Sequence, residues 1–178
     1  MDVIVKQTGN KIGYGVFSAR TFKQGESVLK ATGTISDHQT RYSIQINWDK
    51  HLDPDEPAKY LNHSCDPNMG IHSGADMLPE FIALRDIQAG EELTFDYAMS
   101  EYKHYPRLDP TEDFDLSCHC SADDCRSKLG YYSELDESLK EKYAGYISAY
   151  LVNHQVGTKE TSSTQTADMQ KNSEKHES

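Results

Sequence analysis

The sequence predicts a mainly β protein closed by a C-terminal helix. Two observations carry that reading: short β-branched or aromatic runs broken at close intervals by Gly, Asp, Asn and Pro, and, late in the chain, apolar residues recurring at four-residue spacing. A third, the length of 178 residues, gives room for one domain of about 150 residues and little for a second. Counting glycine in place of tyrosine, 11 of each, leaves the hydrophobic fraction at 36%. That is below the ~45–50% of an average globular domain, so part of the chain is expected to lie outside the core.

The strands are read in order from VIVKQ, GYGVFSA, SVLKATG, YSIQIN, FIALRDI and ELTFDY. In the last of these, alternation sets Leu93, Phe95 and Tyr97 on one face and Thr94 and Asp96 on the other. Between Trp48 and Asn68, the punctuating DPDEP and CDPN frame EPAKYLNHS, which has room for one helical turn. From Ser100 to Leu116 an acidic, Tyr-rich stretch lacks a period and reads as loop. Leu135, Leu139, Tyr143, Ile147 and Leu151 then predict a helix over about 133–154, with Ser133 at its N-cap and Asp136 three residues on. Residues 158–178 are polar and aperiodic, and a disordered tail is expected over 155–178. No internal repeat is present.

Eighteen Lys and Arg against 29 Asp and Glu leave a net charge of −11. This balance argues against duplex nucleic acid or an anionic membrane as a direct ligand and suits a basic peptide. No stretch approaches the ~20 apolar residues of a membrane span, and the apolar run near Met1 is too short for a signal-peptide core. An intracellular monomer is expected, nuclear in a eukaryote and cytoplasmic in a bacterium.

Four cysteines are present: Cys65, and Cys118, Cys120 and Cys125 inside SCHCSADDCRS. Disulfides need an oxidising compartment, and Cys118 and Cys120 are poorly spaced to bridge each other. Four thiolates around one Zn²⁺ need no oxidation and tie a late loop to a distant segment; four ordinary buried thiols are the remaining reading. His119 reads as an exposed neighbour of that set. NHSCDPN, residues 62–68, reads by itself as an Asx-turn before Pro67, and Cys65 activated by His63 as the sharper alternative. GYG at Gly13, Tyr14 and Gly15 reads as a turn, and GEELTFDY as a turn and strand.

Together and in this order, GYGVF, NHSCDPN, RDIQAGEELTFDY and CHCSADDC resemble the SET-domain family of protein-lysine methyltransferases, from about Ile12 to Leu129. The resemblance implies small curved sheets around a pseudoknot, with the NHSC segment beside the GEEL strand. With the helix and tail read above, it divides the chain into a SET domain (1–116), a post-SET zinc segment (117–131), a C-terminal helix (132–154) and the tail (155–178). It implies one structural Zn²⁺ on Cys65, Cys118, Cys120 and Cys125. It also implies S-adenosylmethionine held by Gly13, Tyr14, Gly15, Asn62 and His63 and covered by Leu129. Tyr97 matches the catalytic tyrosine and Phe95 the position that limits methyl number, while Tyr42 aligns with an active-site tyrosine beside the substrate amine. A basic protein or histone-like peptide is the implied substrate, carried to two or three methyl groups. Where the family often has Y-x-G-E, this chain has Ala31, Thr32, Gly33 and Thr34. That departure raises the alternative of a catalytically silent, zinc-stapled module that binds a partner peptide.

Overall fold

The computed structural model describes residues 2–9, 13–102 and 116–153. Its strands are β1 (Val3–Gln7), β2 (Tyr14–Ser18), β3 (Ser27–Lys30), β4 (Gly33–Ser36), β5 (Ile44–Asn47), β6 (Lys50–Pro54), β7 (Asn62–His63), β8 (Met69–Ser73), β9 (Pro79–Ala83) and β10 (Thr94–Phe95). A helix, α1 (Glu137–Lys142), follows. β1 and β2 pair as an antiparallel hairpin, β4-β6-β5 form a three-stranded sheet, and β3-β9-β8-β10-β7 form a five-stranded one. The mainly β class read from the short runs is what the molecule has.

The five-stranded sheet positions the site. β7 and β8 follow each other in the chain, yet β10 lies between them and parallel to both, pairing Thr94 with Asn62, and Phe95 with His63 on one side and Met69 on the other. The connection between β7 and β8 is held to the inserted strand by Asn68. Its amide donates to the Glu92 carbonyl at 2.8 Å and its side-chain oxygen accepts from Thr94 N at 3.0 Å. This is the threading expected of the NHSC and GEEL segments. Behind it, Met69, Ile71, Phe81, Ala83, Ile87 and Leu93 are fully buried. In β9 burial alternates along PEFIA, because only one face of an extended strand meets the core.

Four strands were not visible as apolar runs: GTIS, KHLDP and MGIHS carry no clear alternation, and the two-residue β7 lies in NHSCDPN, which reads alone as a turn. Pairing of β4 with β6 rests on Gly33, where a Cβ would stand 2.1 Å from the Asp53 carbonyl oxygen. The helical turn expected in EPAKYLNHS is a 3₁₀ turn at Ala58–Tyr60.

Two expectations are corrected. The single helix over 132–154 is instead a 3₁₀ turn at Tyr132–Glu134, then α1, then a bend, with helix resuming at 149–153. α1 stops at Lys142, and three residues on Gly145, at φ +85°, turns the chain in the left-handed conformation that glycine tolerates. The backbone groups a continuous helix would pair internally are used elsewhere: Tyr146 O accepts from Ile71 N at 3.0 Å, and Ser148 N donates to Met99 O at 2.9 Å. The four-residue spacing still marks the inward side, since Leu135, Tyr143, Ile147 and Leu151 are buried. The N-cap is Asp136, accepting from Leu139 N at 2.8 Å, while the Ser133 hydroxyl donates to the Tyr102 carbonyl.

The second correction concerns ELTFDY. β10 ends at Phe95, and Tyr97 opens a 3₁₀ turn, Tyr97–Met99, capped by Asp96. Asp96 therefore does not sit on an outer strand face; it is fully buried. Residues 103–115 of the loop expected from Ser100 to Leu116, the whole of the 155–178 tail with its expected disorder, and Ile12 lie outside the described residues. No helix among the described residues is long and apolar enough to cross a membrane.

Candidate active site

Tyr97 is fixed from three directions. Its N–H donates to His63 Nδ1 at 3.2 Å, its hydroxyl donates to the Leu61 carbonyl at 3.1 Å, and its ring stands 5.0 Å from that of Phe95. Burial pushes the hydroxyl well above its usual range, the neighbouring Glu101 adding to the effect, so it stays protonated. Phe95 is held in turn edge-on to Phe81, ring centres 5.0 Å apart.

Tyr97, Phe95, Leu61, Tyr42 and Leu129 all line one cavity. Tyr42 is 45% exposed at its rim, with Lys59 Nζ 5.0 Å from the ring centre. The catalytic candidates Tyr97, Phe95 and Tyr42 are thus gathered around one space, joined by Leu129.

Four of the six cofactor candidates, Gly13, Tyr14, Gly15 and Asn62, gather on the neighbouring side of β7, whereas Leu129 lines the cavity and His63 faces the cysteines. Asn62 Nδ2 donates to the Tyr14 carbonyl at 3.0 Å and to Glu92 Oε1 at 2.8 Å. Successive side chains of an extended segment point to opposite sides, which is how Leu61 meets the cavity while Asn62 meets Tyr14. Gly15 is closed in: a Cβ there would stand 2.5 Å from Glu92 Oε1. At Gly13, φ +94°, a Cβ would meet no described atom within 4 Å, and the Tyr14 ring is 53% exposed. This segment is fixed on one side and open on the other, which fits a ligand held along its backbone.

The cysteines converge. Cys65 Sγ is 3.8 Å from Cys118 Sγ, near the ~3.8 Å edge of a tetrahedron with Zn–S bonds of ~2.3 Å. Backbone N–H groups point at the sulfurs, Cys65 N at Cys120 Sγ, Arg126 N at Cys65 Sγ and Ser127 N at Cys125 Sγ, each 3.4 Å away. Burial opposes ionisation of Cys120, but the N–H groups of Cys65 and Ala122 prevail and lower its thiol to about 7. Burial pushes Cys65 and Cys118 up. Cys125 interacts with the thiols of both Cys118 and Cys120.

His63 also lies in this cluster: its donor atom and those of Cys65, Cys118 and Cys120 are within 4.8 Å of one another. Its Nδ1 lone pair accepts from Tyr97 N, and burial lowers the ring to about 4, so the imidazole is neutral and carries its proton on Nε2. That N–H faces Cys65 Sγ at 3.3 Å as a donor. With neither nitrogen free to ligate, the donor set that fits a metal is the four thiols, and His63 is a hydrogen-bonding neighbour. His119 is exposed, as expected.

Sequence reasoning missed Asp96, Arg126 and Glu101. Arg126 Nη2 donates to Asp96 Oδ1 at 2.8 Å, tying the cysteine loop to the residue before Tyr97. That loop is closed by Leu129 N donating to Leu116 O at 2.7 Å and Cys118 N to Ser127 O at 3.1 Å. Glu101 lines the cavity beside Tyr97. Its one sequence signal was the spacing: four residues after Tyr97, a helical turn returns to the same side.

This threaded sheet, with a tyrosine-lined cavity beside a cysteine cluster, has known counterparts. Residues 13–98 match the family model of the SET domain, and the chain is a member of the SET-domain family. It is 29% identical over 157 residues to the histone-lysine N-methyltransferase Su(var)3-9 of Drosophila melanogaster, covering 71% of this chain and 25% of the relative. It is 30% identical over 142 residues to the putative histone-lysine N-methyltransferase ASHH4 of Arabidopsis thaliana, covering 67% of this chain and 37% of the relative. The chain thus spans between a quarter and two-fifths of these relatives. Among solved structures, KRYPTONITE in complex with mCHG DNA and SAH aligns with TM-score 0.55 and 25% identity, over 72% of this chain and 29% of that one. The methyltransferase domain of human SETMAR shares the fold, with TM-score 0.57 and 20% identity over 72% of this chain and 58% of that one.

Proposed function

We propose that the protein is a protein-lysine N-methyltransferase that moves methyl groups from S-adenosylmethionine to lysine in a basic, histone-like protein. The observation that carries this reading is the meeting of Tyr97, Phe95 and Tyr42 around one cavity, with Gly13, Tyr14, Gly15 and Asn62 gathered across the adjoining strand. Support also comes from relatives named as histone-lysine N-methyltransferases, and from a structural neighbour solved with SAH, the product left once the donor has lost its methyl group.

S-adenosylmethionine supplies an electrophilic methyl carbon on a sulfonium. The chain's own work is to bring a neutral amine to it in line, and orientation of that kind is worth up to ~7–11 kcal/mol. A lysine with pKa near 10.4 is only about 0.04% neutral at pH 7, a deficit of roughly 4–5 kcal/mol. The aromatic walls of Phe95 and Tyr97 disfavour the ammonium by desolvation. The Tyr97 hydroxyl donates a hydrogen bond to the Leu61 carbonyl, leaving its oxygen to accept an N–H of the amine and aim the lone pair. Phe95 leaves room for a second and third methyl group.

Cys65, Cys118, Cys120 and Cys125 would hold one structural Zn²⁺, which cross-links the 116–129 loop to the strand carrying His63 and takes no part in the transfer. No residue of the altered Ala31–Thr34 string lines the cavity, so the silent-module alternative draws no support from the cavity wall itself. The test is incubation with methyl-labelled S-adenosylmethionine and mixed core histones, read by mass spectrometry. Methylated lysine is expected; cofactor binding without any methylated product would favour the silent module.

A further inference from the structure

Transfer requires the substrate lysine to lose a proton, and the tyrosine at the site is badly placed to take it. Tyr97 is protonated, and its proton is committed to the Leu61 carbonyl. Among the described residues lining the cavity, a single carboxylate is present, Glu101. Its N–H donates to the Tyr97 carbonyl at 2.9 Å, one helical turn on, which brings both side chains to the same wall. Oε1 accepts from Gln45 N at 2.8 Å and from the Ser100 hydroxyl at 3.2 Å, whereas Oε2 has the Gln39 amide at 3.3 Å. A carboxylate offers about four acceptor positions, so Oε1 is saturated and Oε2 keeps one.

We propose that Glu101 is the proton acceptor of this site, its Oε2 taking a proton from the substrate ammonium as the lysine enters the cavity. The inference rests on the methyltransferase reading. In the step, an N–H bond of the ammonium breaks and an O–H bond forms on Glu101, leaving the lone pair on nitrogen. That lone pair then forms the N–C bond as the C–S bond of the donor breaks, with the electrons of that bond left on sulfur. The methylated ammonium leaves, and Glu101 returns its proton to solvent before the next round. The remaining groups around the cavity suit the step: Arg41 and Lys59 are its charged residues besides Glu101, with Tyr42, Tyr97 and Tyr131 its other titratable ones. Burial raises the Glu101 carboxyl to about 7, the Gln45 N–H and the Ser100 and Gln39 side chains acting against it. A base in that range is ionised above about pH 7 yet strong enough to compete for the ammonium proton once both are out of water.

The test is the pH dependence of kcat/KM between pH 6 and 10, with saturating S-adenosylmethionine and mixed core histones. If an ionised Glu101 meets a protonated lysine, the native rate rises through about pH 7 and then stays level to about pH 10. Glu101→Gln keeps the shape and must wait for lysine that is already neutral. Its rate should be at least tenfold lower near pH 7.5 and climb about tenfold per pH unit, closing the gap. Glu101→Asp should retain the plateau at reduced height. A Gln variant running parallel to the native enzyme overturns the assignment, and so does a native profile that climbs without levelling to pH 10, which decides the matter even if the Gln variant does not fold. If the native protein methylates no histone, the methyltransferase reading falls and takes this role with it; an active native protein with a parallel Gln variant removes only Glu101.

Discussion

Arg126 and Asp96 form a buried ion pair, 2.8 Å between Nη2 and Oδ1, that joins the cysteine loop to the turn carrying Tyr97. Asp96 is fully buried and the Arg126 side chain is 23% exposed. Removing one partner leaves the other charge stranded out of water, so Arg126→Ala should lower stability by about 3–5 kcal/mol. Replacing both, as Arg126→Met with Asp96→Leu, should recover part of that loss. Urea denaturation of the three proteins measures it; a single Arg126→Ala change costing under 1 kcal/mol would show that the pair is too well solvated to matter.

That pair also marks the limit of what could be read beforehand. Cysteine spacing, NHSC and GEELTFDY named residues that do meet in space, because each motif is local and its chemistry is carried by residue type. Arg126 acts through a partner 30 residues away, and the spacing of Glu101 from Tyr97 has meaning only through a turn that begins where the strand was expected to continue. The 132–154 helix misled for a related reason. The spacing of Leu135, Tyr143, Ile147 and Leu151 reports which side is buried, and a bent segment can bury the same side. Gly145 was the visible warning. Gly70 is its counterpart in β8, where a Cβ would stand 2.5 Å from the Tyr146 Cβ, so the bend needs a glycine to pack against.

Tyr97→Phe removes only the hydroxyl that donates to Leu61 and leaves the ring contacts with Phe95 and His63. Turnover should fall by at least a hundredfold, about 2.7 kcal/mol of transition-state stabilisation, with S-adenosylmethionine affinity nearly unchanged. Calorimetry and single-turnover kinetics check the two halves. Near-normal turnover would shift the orienting role to Tyr42, the other cavity tyrosine matched to the family's site.

The metal reading makes a stoichiometric prediction. Elemental analysis should find one zinc per chain, and Cys118→Ser should abolish it, since the Cys118 thiol interacts with those of Cys65, Cys120 and Cys125. A strong chelator should loosen the loop that contributes Leu129, Gly130 and Tyr131 to the cavity, and so weaken substrate binding as well as lower Tm. His63→Ala should leave the zinc bound, because that ring donates to Cys65 and has no lone pair free for a metal. Loss of metal in the His63 variant with retention in Cys125→Ser would reverse the assignment of the fourth ligand.

Glu101 also predicts a stability signature that needs no activity. Its carboxyl titrates near 4.5 when unfolded and about 7 when folded, so between those values the folded state holds a proton the unfolded state has released. Stability from this group is therefore greatest below about pH 4.5 and is lost as pH rises through 7, by about 3 kcal/mol in all. Glu101→Gln removes the titration. The stability difference between variant and native protein should move in favour of the variant by about that amount from pH 4.5 to 8. Other groups cancel in the comparison, and a difference constant with pH would mean the carboxyl is ionised in the folded protein throughout.

Phe95 sets the last expectation, the number of methyl groups. It is 3% exposed, its ring is 5.0 Å from those of both Phe81 and Tyr97, and its edge forms part of the cavity wall. A methylated lysine must turn within this space to present its lone pair again, and phenylalanine offers no polar atom to hold a water where the new methyl group has to go. The native enzyme should therefore accumulate di- and trimethylated product. Phe95→Tyr would place a hydroxyl beside Tyr97, able to fix a water against the substrate nitrogen, so the first transfer should continue while the second and third slow by at least tenfold. If Phe95 served packing alone, the buried hydroxyl would instead cost about 1–3 kcal/mol of stability and slow every transfer alike. Time-resolved mass spectrometry of one lysine peptide with both proteins separates these outcomes: a native enzyme that stops at one methyl group, or a variant with an unchanged product ratio, removes Phe95 from the control of product state.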